Sequence, residues 1–302
     1  MAANLERLRL LHAVAAHGSI AAAAREVGYT ASAVSQQLAA LERDVKAALF
    51  ERSNRGVSLT AAGELLSRRA SVILDLVDAA VDEVGRHVPT DRPFPVRVGA
   101  FPTAISALLL PFAASKASAA SSLQITIVDL EPGHALRALH ARIIDAAIVD
   151  HYDNGWNPLP AAMNRTTLLV EPLRVISPTR RSMPTTLESL ADASWVLGAG
   201  DGRLGRATRA ACHAVGFEPQ VIAETDDHRV AFDIVRATGA VTIQPDLALA
   251  DAPRWVAATP IDVGCMRHIE FVTRSLPTAN ESSRSPLDLL AQLLVATATA
   301  RG

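Results

Sequence analysis

Proline is absent from residues 1 to 88, and then three occur within seven residues, Pro89, Pro93 and Pro95. Proline fixes φ, removes a backbone donor and pushes the residue before it out of the α region. A proline-free stretch rich in Ala, Leu, Glu and Arg therefore reads as nearly continuous helix. The run Pro89-Thr90-Asp91-Arg92-Pro93-Phe94-Pro95 reads as a hinge. Beyond it, short β-like runs alternate with helical ones. Val96–Gly99, Gln124–Val128 and Ala146–Val149 are strand candidates, with helices over Thr103–Lys116 and Gly133–Arg142 between them. A second series follows, with strands at Leu168–Val170, Leu173–Ile176, Trp195–Leu197, Gln220–Ala223 and Ala240–Ile243. Its helices are Gly205–Val215 and His228–Thr238, and Ser285–Thr299 closes the chain as an amphipathic helix. Strand alternating with helix argues for parallel α/β units. The expected order is an all-α module at 1–60, a long helix at 61–88, the hinge at 89–95 and an α/β domain of two lobes at 96–302.

Composition narrows the function classes. The 302 residues are 49% apolar and 20% charged, which excludes a disordered chain. The net charge of -2 means that any nucleic-acid contact must come from a local patch. Two cysteines, Cys212 and Cys265, do not make a disulfide framework. The longest apolar runs, such as Ala104–Ala114, fall short of the ~20 residues a membrane span needs. Asn4, Glu6, Arg7 and Arg9 interrupt any signal-like start. A soluble, cytoplasmic protein without membrane contact is expected.

The first sixty residues carry the sharpest local pattern. Leu5, Leu8, Leu11 and Ala15 recur at helical spacing until Gly18. Ser19 is a good N-cap for a helix over Ile20–Val27, whose face is the small run Ala21–Ala24. Gly28 ends it and Thr30 caps a third helix, Ala31–Asp44: a helix-turn-helix pattern. Val34, Leu38, Leu41 and Val45 form its buried face. Thr30, Ser32, Ser35, Gln36 and Gln37 cluster near its start. A helix in a DNA major groove needs such neutral donors and acceptors, although ordinary capping of a solvated helix start explains the same residues equally well. Residues 49–60 then read as a hairpin, turning at Asn54-Arg55-Gly56, with Arg52 and Arg55 at the tip. Such arginines reach phosphates or a narrow minor groove. Seven basic residues against five acidic ones give residues 1–60 a modest +2.

Gly18-Ser19-Ile20-Ala21-Ala22-Ala23-Ala24, then Ala33-Val34-Ser35-Gln36-Gln37-Leu38 and Leu41-Glu42, resemble the LysR-type transcriptional regulators. So do Leu49-Phe50-Glu51-Arg52, Arg55, Val57 and Leu59-Thr60-Ala61-Ala62-Gly63. The resemblance implies a winged helix-turn-helix that binds double-stranded promoter or operator DNA. It assigns DNA contact to Ser19, Thr30, Ala31, Ser32, Ser35, Gln36, Gln37, Arg52, Arg55 and Thr60. Two positions depart from the family, which often has Gln at 31 and a basic residue at 36. Ala31 can meet a thymine methyl and Gln36 can read adenine, so fewer guanine contacts are expected here. In the long helix, Leu66, Ala70, Ile73, Val77, Ala80 and Val84 repeat at spacings of 4, 3, 4, 3 and 4, a heptad seam. With the family's use of this helix, the seam implies self-association as a dimer or tetramer through Leu66, Ile73, Val77 and Val84.

For the α/β half the resemblance implies a periplasmic-binding-protein-like arrangement. Lobe I would hold about 96–165 and 267–302, and lobe II about 166–266. A small-molecule effector would sit between them, near strand ends and helix N-termini. That logic nominates Phe101, Pro102, Thr103, Asp129, Glu131, Asp150, Gly200, Asp201, Arg203, Asp226, His228 and Gln244. Thr103 is expected to cap a helix whose free N–H groups suit an anion. Many relatives bind small carboxylates; the acidic residues here point instead to a zwitterionic or hydroxyl-rich ligand. Catalysis finds no support. Cys212 and His213 are adjacent, but neighbours on a helix face apart. The histidines lack metal-ligand spacing and no nucleophile elbow occurs, so neither metal nor cofactor is expected. The competing reading is a small-molecule-binding protein with a helical oligomerisation domain and no DNA role.

Overall fold

The computed structural model describes residues 4–53, 56–87, 93–115, 117–118, 121–153, 163–178, 185–199, 202–250, 252–275 and 285–300. Three helices open it: α1 (Leu5–His17), α2 (Ile20–Glu26) and α3 (Ala31–Val45). Asn4, Ser19 and Thr30 are their N-caps, each accepting a backbone N–H, and Gly18 ends α1 at φ 61°. The apolar positions of all three helices meet in one core around Leu8, Leu11, Val14, Ala23, Val34, Leu38 and Leu41. The antiparallel wing β1 (Phe50–Ser53) and β2 (Gly56–Leu59) follows in the expected place.

Helix α4 (Ala61–His87) then runs 27 residues, about 40 Å at ~1.5 Å per residue. Thr60 starts it. Its hydroxyl accepts from Gly63 N (3.0 Å) and donates to the Ala48 carbonyl (2.7 Å), which locks the wing to the helix. The first turns of α4 complete the helix-turn-helix core, where Ala70 is fully buried and Leu66 half-buried. These two seam positions are therefore committed within their own chain. The free apolar face consists instead of Leu65, Val72, Ile73, Leu76, Val81 and Val84, the last two 66% exposed.

Of the expected hinge at 89–95, residues 89–92 lie outside the described residues, and Phe94 and Pro95 belong to β3 (Phe94–Ala100), which lies parallel to both β4 (Leu123–Asp129) and β5 (Ala146–Tyr152). Helix α6 (Pro132–His140) connects β4 to β5. Helix α5 departs from regular geometry. It is α-helical over Pro102–Ala104, a π turn over Ile105–Leu109, and α-helical again over Leu110–Ala113. Pro111 has no N–H to give Ala107, and widening the preceding turn re-registers the hydrogen bonds.

The two strands expected at Leu168–Val170 and Leu173–Ile176 are one 16-residue strand, β6 (Met163–Pro178). It pairs antiparallel with β11 (Met266–Arg274), which pairs antiparallel with β5. Farther along, β6 pairs with β9 (Thr242–Pro245) and β10 (Val256–Thr259). β6 and β11 thus cross between the lobes. Leu168 and Ile269 lie in the first core, Leu173 and Cys265 in the second, so β6 changes lobe a few residues beyond the expected division at 165. The second lobe adds parallel β7 (Ser194–Leu197) and β8 (Gln220–Glu224), with α7 (Arg203–Ala214) and α8 (His228–Thr238). The last helix, α9 (Pro286–Thr299), starts with a Ser285/Asp288 capping box and packs on the first lobe.

Candidate DNA-binding face and effector cleft

Helix α3 divides its residues as an amphipathic helix should. Val34, Leu38 and Leu41 are buried, while Thr30, Ala31, Ser32 and Gln36 are exposed. The exposed stripe continues through Ala39 to Arg43, so Ser32, Gln36, Ala39 and Arg43 follow one face at spacings of 4, 3 and 4. Ala39 and Arg43 were missed, although their helical spacing from Ser32 is legible in the sequence. Ser19, Ser35, Gln37 and Thr60 are half-buried. Gln37 is already engaged: its Oε1 accepts from Arg7 Nε (3.0 Å), and Arg7 also pairs with Asp44. Gln37 therefore braces α3 against α1 rather than standing free for a base.

Glu42 fixes the wing, accepting from Leu49 N (2.8 Å) and Phe50 N (3.3 Å). In the wing, the backbone of Arg52 pairs with Val57 across β1–β2, and Arg55 lies outside the described residues. Tyr29, exposed in the turn before α3, hydrogen-bonds Glu6, which raises its phenol pKa.

The second site is built around a residue that sequence reasoning did not find. Arg267, on crossover strand β11, is 3% exposed. Its Nε donates to Asp150 Oδ2 (2.8 Å), Nη1 to Glu171 Oε1 (3.2 Å) and Nη2 to Thr103 Oγ1 (3.3 Å). Its guanidinium lies over the Phe101 ring, 4.6 Å from the centroid. Burial works against its charge, yet Tyr152, Asp150 and Glu171 outweigh that and hold it more firmly protonated than an ordinary arginine. Glu171 is buried too; burial raises its carboxyl pKa, opposed by Arg267 and by the Leu247 N–H that it accepts at 2.7 Å. No strand had been expected at 266–274, so Arg267 carried no positional signal.

Four of the nominated residues, Phe101, Thr103, Asp150 and Arg203, meet at this hub. Arg203, the first residue of α7, pairs with Asp150 Oδ1 at 3.2 Å. Asp150 therefore joins Arg203 of the second lobe to Arg267 on the crossover strand. Glu131 precedes α6; burial raises its carboxyl pKa, as do the nearby Asp150, Asp226 and Asp129, while Arg203 opposes them. Asp226 accepts from Ala199 N (3.0 Å) and holds the loop before α7. His228 Nδ1 contacts Gln244 Oε1, and Gln244 Nε2 donates to Thr242 Oγ1 (3.2 Å). Burial lowers the His228 pKa more than the Gln244 bond raises it, which favours the neutral imidazole.

One expectation fails. Thr103 is no cap: Phe101 holds that place with Pro102 as the first helical residue, and Thr103 is buried inside the turn with its hydroxyl on Arg267. The helix start therefore lies two residues earlier than expected, and the Thr103 hydroxyl is engaged by Arg267 rather than by the helix. Pro102 is exposed, and Gly200 and Asp201 lie outside the described residues.

The comparisons with known proteins agree with both halves. Residues 5–64 match the family model of the bacterial regulatory helix-turn-helix protein, lysR family. Residues 95–294 match that of the LysR substrate binding domain. The chain belongs to the LysR family. The family is one of DNA-binding transcription regulators with an effector-binding domain, not of enzymes, and the chain spans half or less of the length of the first curated relatives it matches. YofA of Bacillus subtilis is 32% identical over 142 residues, 47% of this chain and about half (49%) of that protein. TfdS of Cupriavidus pinatubonensis is 30% identical over 248 residues, 80% and 82% of the two chains. Among solved structures, a variant of full-length OxyR from Pseudomonas aeruginosa shares the fold at TM-score 0.68 and 19% identity, covering 99% of this chain and 95% of that one. CbnR complexed with its target DNA follows at TM-score 0.53 and 22% identity, covering 98% and 100%. No helix among the described residues is long and apolar enough to cross a membrane.

Proposed function

We propose that this regulator reads duplex operator DNA through the exposed stripe of α3, self-associates through α4 and is controlled by a small effector bound around Arg267. Thr30, Ala31, Ser32, Gln36 and Ala39 would meet base edges and thymine methyls. Arg43 and the wing arginines Arg52 and Arg55 would lie on phosphates or a flanking minor groove. A second copy would cover the apolar face of α4 and bring a second reading helix to a symmetric half-site, as dimer or tetramer. The protein would act in the cytoplasm, where the chromosome is.

The observation that carries the control element is the hub itself. Arg267, Asp150, Glu171, Thr103 and Arg203 bind both lobes and both crossover strands into one charged network. A ligand that competes for Asp150 or Thr103 changes how the lobes meet. Carboxylates and arginines stand side by side there, which favours a zwitterionic or hydroxyl-rich effector over a simple aromatic acid. Thermal-shift screening compares amino acids and polyols with aromatic acids; stabilisation by the aromatic acids alone refutes the ligand class. Gel shifts on the promoter flanking its own gene, with competitor DNA and across salt, test the DNA reading. A specific complex weakened by Gln36→Ala supports it, and none at any salt overturns it.

A further inference from the structure

The DNA-binding module and the effector domain touch at a place that neither site uses. His12, on α1, is 1% exposed but is not one of the apolar residues of the helix-turn-helix core. Its Nε2 faces the carbonyl of His140, the last residue of α6, and the two imidazole rings are 4.5 Å apart. Two residues on, Arg142 Nη2 donates to the carbonyl of Ser71 on α4 (3.2 Å). Arg142 sits at φ 62°, a left-handed conformation rare for a side-chain-bearing residue and maintained here by its surroundings.

We propose that this contact is an intramolecular latch, closed only while the His12 imidazole is uncharged, which holds the DNA-binding module in one orientation on the first lobe. A carbonyl can only accept, so Nε2 carries the proton and Nδ1 is bare. Nδ1 is buried and has no hydrogen-bond partner among the described residues. A second proton there would meet no acceptor among them. Among the described residues, the charged or titratable groups acting on the ring are His140 from α6, Arg142 from the turn after it and Arg274 from β11, none of them a carboxylate. Arg274 is held there by donating to the Leu139 and Ile144 carbonyls, 2.9 Å each. Burial, joined by these three groups and opposed by the His140 carbonyl bond, pushes the His12 pKa down to about 4.

The placement of α6 gives the latch a purpose. Its N-terminal end, at Glu131, borders the cleft around Asp150 and Arg203; its C-terminal end, at His140, holds the DNA-binding module. Nine residues span ~13 Å, short enough to move as a rod. What the rod transmits rests on the proposed effector cleft; the latch itself does not, and it is testable with neither effector nor DNA.

The sign of the pH effect follows from linkage. The open form takes up a proton near the ordinary histidine value of 6.5, the closed form only near 4. Closure is fully favoured above pH 6.5 and lost as pH falls toward 4. Between pH 7.5 and 5.5 the open-to-closed ratio rises about tenfold. Spin labels on Ala21→Cys in α2 and Ser122→Cys beside β4 report the distance between modules in the full chain, with labelled chains diluted into unlabelled ones. Both positions are at least partly exposed, whereas Cys212 and Cys265 are buried. The expected result is one narrow distance at pH 7.5 and a broadened distribution at pH 5.5. His12→Gln should stay narrow at both values, and Arg142→Gln should broaden already at pH 7.5. The proposal is overturned if wild type gives the same distribution at both pH values, or if His12→Gln broadens with acid as wild type does. Should His12→Gln not fold, the wild-type pH series together with Arg142→Gln decides.

Discussion

Replacing Arg267 with Met keeps a long side chain over Phe101 but removes the charge that Asp150 and Glu171 share. Breaking a buried ion pair by deleting one partner costs ~3–5 kcal/mol, because the other charge stays buried without compensation. Here Asp150 keeps Arg203, and Glu171 keeps the Leu247 N–H, so the lower end applies, ~3 kcal/mol. For an α/β domain of this size that lowers Tm by roughly 6–12 °C. The penalty should also depend on pH in a definite direction. Burial already raises the Glu171 pKa, and losing Arg267 raises it further. A carboxyl whose pKa is higher folded than unfolded binds its proton preferentially in the folded state, so stability rises as pH falls. Urea unfolding of wild type and Arg267→Met at pH 7.5 and pH 5.5 should therefore show a gap of ~3 kcal/mol that narrows at the lower pH. A gap below ~1 kcal/mol, or one that widens with acid, refutes the view that Arg267 neutralises two buried carboxylates.

Further predictions concern each part of the chain. Gly63 admits no side chain, since a Cβ there would stand 2.0 Å from the Leu49 carbonyl oxygen; Gly63→Ala should destabilise the DNA-binding module by ~1–3 kcal/mol in urea unfolding. Gln36→Ala should lose ~1–3 kcal/mol of operator affinity at A·T positions, read by selection of bound sequences. Gln37→Ala should leave sequence preference unchanged and lower the melting temperature, because Gln37 holds Arg7. Glu at both Ile73 and Leu76 should give monomers by light scattering, with weakened DNA binding. The Cys212 thiol, whose pKa burial pushes up to about 12, should resist peroxide and thiol reagents in the folded protein and react on unfolding, followed by mass spectrometry.

The N-terminal half was legible almost residue by residue. Its determinants are local: Gly18 and Gly28 in left-handed turns, Ser19 and Thr30 as caps, and apolar spacing that puts Val34, Leu38 and Leu41 inward. A cap or a turn acts over three or four residues, so the sequence displays it directly. The α/β half was legible as alternation but not as topology. Which strand lies beside which is decided by contacts between residues far apart in the chain. β11 shows why. Met-Arg-His-Ile-Glu-Phe-Val-Thr-Arg carries two arginines, a histidine and a glutamate, the composition of a surface segment, yet it runs through the centre of the sheet. Arg267 can be buried because partners 96 to 164 residues away meet its guanidinium.

That contrast bears on where control resides in this regulator. The reading face follows from neighbours in sequence, and its core is completed within about the first seventy residues, by Leu66 and Ala70 of α4. The cleft exists only once Thr103, Asp150, Glu171, Arg203 and Arg267 have been gathered from five elements of the chain. In the proposed cleft those residues come from both lobes and both crossover strands, so ligand affinity there would depend on how these parts sit together. Reciprocity then requires that whatever moves those strands alters ligand affinity by the same factor. If the proposed latch and effector cleft hold, DNA that reorients α1 against α6 acts on the Glu131 end of that helix as an effector at Glu131 would act on α1.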